Sequence, residues 1–239
     1  SGVRGLVTEM TDLQCYLFAR AFVQFARSGS AFESVALAGD LRPSTGRILE
    51  AVARGIVDEG AAVEICGRIG SPVLANFAFA RSLPSIMVTG SHIPADRNGI
   101  KFNLSQGEVL KEDESGILDR YRALQGAPSG VPSHFGADEE LLSSARIPLL
   151  EENIAPVEEY VERFVSFFPS DVLAGLKVLV YQHSSVSRDL LVRVLEELGG
   201  EALCRGRSDS FVPVDTEAVE NLPELSRWID ESEADALLS

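Results

Sequence analysis

Between Thr11 and Arg27 the chain sets Leu13, Leu17, Ala21, Phe22 and Phe25 at helical spacing, which predicts an amphipathic helix with Asp12 near its positive N-terminal end. Val35 to Ala38 is a brief apolar run with the length of a buried strand, followed at once by Gly39-Asp40-Leu41-Arg42-Pro43. A second helix is predicted from Ser44 or Thr45, either of whose hydroxyls can cap it; Ile48, Val52 and Ile56 form its buried stripe and Gly60 ends it. Ala62 to Cys66 reads as the next strand, Gly70-Ser71-Pro72 as a turn, Val73 to Ala80 as a helix of small residues and Ser85 to Val88 as a strand. Strand and helix in alternation predict an α/β layer with crossover connections, whose ligands collect beyond the carboxyl ends of the strands. Arg42 and Ser91 each follow a predicted strand, so they can face one cleft.

After Asn103 the pattern weakens into a polar stretch, and Ile117 to Leu124 reads as a short helix. Gly126 to Gly136, with Pro128 and Pro132, is predicted as a loop that carries His134 as a surface residue. Val157 to Phe168 supplies another amphipathic helix, and Lys177 to Tyr181 begins a second α/β unit. Its helix runs from Ser187, a reasonable cap, to Leu198; Gly199 and Gly200 stop it, and Glu201 to Cys204 returns as a strand. The loop Gln182-His183-Ser184-Ser185 lacks a glycine-rich phosphate cradle, so His183 is read as structural. Pro223 to Glu231 is predicted as a helix and Ala236 to Leu238 as a buried strand.

The chemistry gathers in one stretch, Val88-Thr89-Gly90-Ser91-His92-Ile93-Pro94-Ala95-Asp96-Arg97-Asn98-Gly99-Ile100-Lys101-Phe102-Asn103, read as a loop on a buried strand. A serine hydroxyl, an imidazole, a lysine and an arginine stand close together there, groups able to move protons or hold anions. Charge narrows the partners. Lys and Arg total 21 against 36 Asp and Glu, a formal charge of -15, which argues against nucleic acid or an anionic membrane surface. An anionic substrate needs a local basic pocket, for which Arg4, Arg42, Arg47, Arg97 and Lys101 are the candidates. Cys15, Cys66 and Cys204 have the wide spacing of buried free thiols in a reducing compartment and not of a zinc site or disulfide framework. With no apolar run of about 18 residues and no leader pattern, the expected location is cytoplasmic.

The run Thr89-Gly90-Ser91-His92-Ile93-Pro94 followed by Asn98-Gly99-Ile100-Lys101 resembles the phosphoserine loop of the alpha-D-phosphohexomutases, most nearly the bacterial phosphomannomutases and phosphoglucomutases. That loop commonly reads Thr-Ala-Ser-His-Asn-Pro and then Asn-Gly-x-Lys, so Gly90 and Ile93 depart from it. Ser1-Gly2-Val3-Arg4-Gly5 and Gly39-Asp40-Leu41-Arg42-Pro43-Ser44 match further family motifs in the right order. The resemblance implies two α/β domains of mixed or parallel sheet with flanking helices, the first half of a four-domain architecture, with residues 1–138 as the first domain and 139–239 as the second. It implies interconversion of hexose 1-phosphate and hexose 6-phosphate, mannose or glucose, through a phosphoserine at Ser91 and a hexose 1,6-bisphosphate. Ser91 would carry the phosphate, Lys101 and Arg4 would assist transfer, and His92, Asn98 and Arg42 would organise the loop and bind substrate. The cofactor implied is Mg2+, held through the phosphate on Ser91. The aspartates of the family's Asp-Gly-Asp-Gly-Asp-Arg metal loop have no match in this sequence, so the chain corresponds to an N-terminal portion, with the remaining C-terminal domains as its partners and little activity expected of it alone.

Three alternatives stay open from the sequence. A serine hydrolase using Ser91 and His92 lacks Gly-x-Ser-x-Gly, and adjacency in sequence does not orient an imidazole against its neighbour's hydroxyl. Phosphoglucosamine mutase activity and a non-catalytic sugar-phosphate sensor or scaffold are the others.

Overall fold

A computed structural model describes residues 2–126, 133–148, 152–214 and 222–239. Two compact units are present, one of Ser1–Ser91 with Ala95–Ile154 and one of His92–Pro94 with Ala155–Ser239.

The first unit is a mixed sheet with helices packed on it. Its strands β1 (Val3–Leu6), β2 (Ser34–Gly39), β3 (Ala62–Arg68), β4 (Ser85–Val88) and β5 (Arg97–Leu104) lie in the order β1-β5-β4-β2-β3, and the short β6 (Gly107–Glu108) pairs with β5. β2 runs parallel to both β3 and β4, while β5 is antiparallel to β4 and to β1. The helices are α1 (Asp12–Gly29), α2 (Thr45–Asp58), α3 (Ser71–Ala80) and α4 (Lys111–Gly126). The crossover through α2 runs from β2 to β3, and the one through α3 returns from β3 past β2 to β4, so the two right-handed crossovers run in opposite directions and cover opposite faces. The strand order therefore reverses beside β2. Its carboxyl end and that of β4 flank the reversal, where open α/β sheets bind ligands.

The core beneath α1 and α2 is apolar and closely packed. Tyr16, Phe22, Ile48, Val52, Ile56, Leu37, Ile86 and Ile100 are fully or almost fully buried, and Phe22 stacks on Phe102 of β5 at 4.7 Å. Each such side chain contributes about 1.5–3 kcal/mol by leaving water. Burial also pushes the thiols of Cys15 and Cys66 up to about 12, so both are inert at neutral pH, as expected of free core cysteines. Cys204 departs from that expectation and is exposed.

Several local expectations are revised. Arg97–Leu104 is a strand, not a loop, because Asn98, Ile100 and Phe102 alternate inward and only the last two are apolar. Val3–Leu6 is likewise a strand. α3 begins at Ser71 and admits Pro72 in its first turn, where proline's missing N–H costs nothing. α4 starts well before Ile117, its first turn carrying Glu112, Asp113 and Glu114 at the positive helix end. Thr11 caps α1 by accepting from Gln14, whereas Ser44 before α2 and Ser187 before the later helix make no capping side-chain bond. His134 is not a plain surface residue: it pairs with Asp58 at 3.3 Å, and Asp58 also accepts from Tyr16 Oη at 2.7 Å. Residues 127–132 of its predicted loop lie outside the described residues. The segment after His134 is bound to the same unit, with Leu141 N–H donating to Asp12 and Asn153 N–H to the Ile65 carbonyl.

The second unit carries α5 (Ala155–Val165), β7 (Lys177–Tyr181), α6 (Arg188–Glu197), β8 (Glu201–Arg205), α7 (Leu222–Ser232) and β9 (Ala236–Leu238). Its strands are all parallel, in the order β8-β7-β9, around a small core of Val178, Val180 and Leu195. Among the described residues no helix is long and apolar enough to cross a membrane.

Candidate functional site

Ser91 sits three residues beyond Val88, the last paired residue of β4, and the chain reaches it through a short clamp. Its backbone has φ +54°, the left-handed region that costs a residue with a Cβ about 1–2 kcal/mol. Such a conformation persists only where surrounding bonds impose it. The bonds come from the end of β2. The Asp40 carboxylate accepts from Gly90 N–H at 3.2 Å and from the Thr89 hydroxyl at 2.9 Å through Oδ2, and from Arg42 N–H at 3.0 Å and the Thr45 hydroxyl at 2.6 Å through Oδ1. The Thr89 oxygen in turn accepts from Ser91 N–H at 2.9 Å.

The Arg42 side chain, 1 % exposed, threads under the loop. It donates to the Ser91 carbonyl at 3.1 Å and to the Arg97 carbonyl at 2.9 Å, joining the two ends of the segment, and its Nε lies 3.4 Å from Asp40 Oδ2. Burial draws the Arg42 pKa below its ordinary value, and Asp40 and Asp96 oppose that shift. The room for this guanidinium exists because residue 90 is glycine: a Cβ there would stand 2.4 Å from the Arg42 Cζ and Nε.

Asn98 is fully buried. Its amide donates to Ser44 Oγ at 2.9 Å and Thr45 Oγ1 at 3.1 Å, and its oxygen accepts from Gly99 N–H at 2.8 Å. It ties the start of β5 to the start of α2, support for the loop from below.

On the other face of β5 lie Gly99 and Lys101, two residues apart and so on one side of the strand. Arg4 of β1 pairs with Gly99, and its Cγ would be 3.2 Å from a Cβ at that position, so the arginine stem lies across the glycine. The Thr89 carbonyl would be 3.0 Å from the same Cβ. Arg4 is exposed and Lys101 half-buried. Burial first, and then the Arg4 charge, lower the Lys101 pKa, with Glu108 opposing. Two cations near each other are suited to holding an anion. Ser91, His92 and Arg97 are also exposed.

Of the basic residues expected at the site, Arg47 is not there. It pairs with Asp12 and donates to the Met10 carbonyl at 2.9 Å, bracing the turn between β1 and α1. Conversely Asp40, Thr89 and Arg68, whose Nη1 donates to the Asp40 carbonyl at 2.6 Å, had no role assigned from the sequence. The available signal was an aspartate at a strand end before Arg-Pro-Ser-Thr, a pattern in which the carboxylate caps backbone N–H groups two residues on.

Residues 1–126 match the domain described as phosphoglucomutase/phosphomannomutase, alpha/beta/alpha domain I. The chain belongs to the phosphoglucomutase/phosphomannomutase family. It is 34% identical over 241 residues to a phosphomannomutase of Salmonella muenchen, an alignment covering 100% of this chain and 47% of that protein. With a phosphomannomutase of Sinorhizobium fredii it shares 36% identity over 244 residues, covering 100% and 49%. Among solved structures, a phosphoglucomutase/phosphomannomutase family protein from Burkholderia thailandensis superposes with a TM-score of 0.74 at 24% identity, covering 98% of this chain and 49% of that one. The chain thus spans about half the length of the curated relatives it matches. The family resemblance and the α/β architecture with mixed and parallel sheets are both borne out.

Proposed function

We propose that the protein transfers a phosphoryl group between the 1- and 6-hydroxyls of a hexose, mannose or glucose, with Ser91 as the intermediate carrier. The observation that carries this is the exposed serine held in a left-handed conformation beyond the strand-order reversal, on the β4–β5 connection whose second strand also carries Lys101 and pairs with Arg4. Kinship with phosphomannomutases at 34% and 36% identity supports it.

In the first half-reaction the bond from phosphorus to Ser91 Oγ breaks as a substrate hydroxyl forms its own bond to phosphorus. The hydroxyl loses its proton and the serine oxygen regains one. The hexose 1,6-bisphosphate then turns over and returns its other phosphoryl group to Ser91. Such a transfer depends mainly on alignment and on neutralising the charge on the phosphoryl oxygens. Arg4 and Lys101 supply that charge, and a lysine with a lowered pKa is also suited to move the hydroxyl proton. By resemblance His92 helps to orient the loop, while Arg42 and Asn98 hold it from beneath. Residues 1–138 and 139–239 would be the first and second family domains, and further domains of the family's four would select the sugar.

Mg2+ dependence is proposed by kinship, with the phosphate on Ser91 as a ligand. The rest of a cation cage does not come from these residues: the described residues hold no group of three His, Cys, Asp or Glu able to bind a metal, and both Asp40 oxygens are committed to donors. No step is therefore routed through a metal. The test is a 1-phosphate to 6-phosphate assay with mannose, glucose and glucosamine phosphates, using protein expressed from the complete reading frame. Turnover of mannose or glucose phosphate that falls about a thousandfold or more in Ser91→Ala is expected. Activity undiminished in that variant contradicts the assignment, and preference for glucosamine phosphate moves it to the phosphoglucosamine mutases.

A further inference from the structure

The phosphoserine reading names the carrier but leaves unexplained what fixes it, and three hydrogen-bonding groups in series answer that. Ser91 N–H donates to Thr89 Oγ1 at 2.9 Å, and the same hydroxyl donates its own hydrogen to Asp40 Oδ2 at 2.9 Å. A hydroxyl that accepts on one side and donates on the other has a defined direction, and here the negative end is a carboxylate. Thr89 is 6 % exposed, so water does not compete for the relay. The direction cannot reverse, because every other hydrogen bond on Asp40 also arrives from a donor: Gly90 N–H, Arg42 N–H and the Thr45 hydroxyl. An amide at this position would turn its own hydrogens, in either orientation, toward a backbone N–H that cannot accept, that of Gly90 or that of Arg42.

We propose that Thr89 and Asp40 are positioning residues for the phosphoryl transfer. The Asp40 charge, relayed through the Thr89 hydroxyl, pins the Ser91 backbone N–H and so holds the residue in the left-handed conformation from which its side chain meets the substrate. Neither group takes part in the bond exchange. The relay is built across the strand-order reversal, Asp40 from the end of β2 and Thr89 from the end of β4, so it references the nucleophile to the rigid sheet instead of to the loop itself. A misplacement of about 1 Å at a reacting atom costs on the order of a hundredfold in rate, whereas substrate affinity, set elsewhere, has no reason to change.

Because this rests on the phosphoserine reading of Ser91, the test keeps the two apart. In protein from the complete reading frame, kcat and KM for the hexose 1-phosphate are measured for the wild type, Thr89→Val and Thr89→Ser, together with amide hydrogen exchange at Ser91. Thr89→Val keeps the branched shape and removes the relay; Thr89→Ser keeps the hydroxyl. The expected result is a fall in kcat of about ten- to a hundredfold in Thr89→Val, KM within about twofold, faster exchange at Ser91, and recovery of most of kcat in Thr89→Ser. Asp40→Asn breaks the relay from its other end together with the bonds to Gly90, Arg42 and Thr45, so its loss of kcat should be at least as large as that of Thr89→Val. Thr89→Val with wild-type kcat, or Thr89→Ser as impaired as Thr89→Val, overturns the inference alone. A wild type without turnover overturns the phosphoserine reading, and the inference with it.

Discussion

Gly90 shows how closely the loop is built around one cation. The Arg42 guanidinium occupies the space a Cβ would need, and three groups hold it there, the carbonyls of Ser91 and Arg97 and the Asp40 carboxylate. That is a physical reason for glycine at a position where the family usually has alanine. The neighbouring pair of cations works differently, since Arg4 and Lys101 face the open edge and repel each other. Replacing Arg4 by Met removes the second-largest cause of the lowered Lys101 pKa, so that pKa should rise toward its ordinary value. Titration of the Lys101 ammonium by nuclear magnetic resonance checks this. An unmoved titration would mean that burial alone sets the shift. At this scale the motif residues Ser91, Arg42, Arg4 and Lys101 were legible as types in order. Thr89 was not, and Asp40 was legible only as a local cap of Arg42 N–H, because their joint role depends on two strand ends being adjacent, a fact no local pattern carries.

Among the elements, β5 does most to assemble the site and was the hardest to read. Asn-Gly is a turn signature, and the inward position before Ile100 is filled by a polar Asn98 whose partners, Ser44 and Thr45, are more than fifty residues away. Without those partners in view, a buried asparagine looks like a loop residue. The helices and most of the remaining strands were read from their apolar periods, with errors at helix ends, while β1 and the short β6 went unread. In the second unit the loop after β7 holds His183 at φ +25°, its ring beside Tyr181 and its Nε2 3.1 Å from Ser239 Oγ. Burial and the Arg188 charge lower its pKa, so the folded state binds its proton less readily than the unfolded chain. This contribution to stability is fully present above the ordinary histidine pKa of about 6.5 and fades as the pH falls below it. Chemical denaturation of the chain between about pH 7 and pH 5 should therefore show a loss of stability that His183→Gln reduces. An identical pH slope in the variant would assign the loss to other groups.

The whole chain is strongly acidic, with a formal charge of -15, yet its proposed site is lined by cations. For the proposed anionic substrate, steering would come from the local field of Arg4 and Lys101 and not from net charge. The chain spans about half the length of the curated relatives it matches. What these residues do claim is the carrier. The measurement that tests it most directly is intact mass and phosphopeptide mapping of protein from the complete reading frame after exposure to a hexose 1,6-bisphosphate. One phosphate, located on Ser91 and discharged when hexose monophosphate is added, is the predicted result. An unmodified Ser91 in an enzyme that nonetheless turns over hexose phosphates would contradict it.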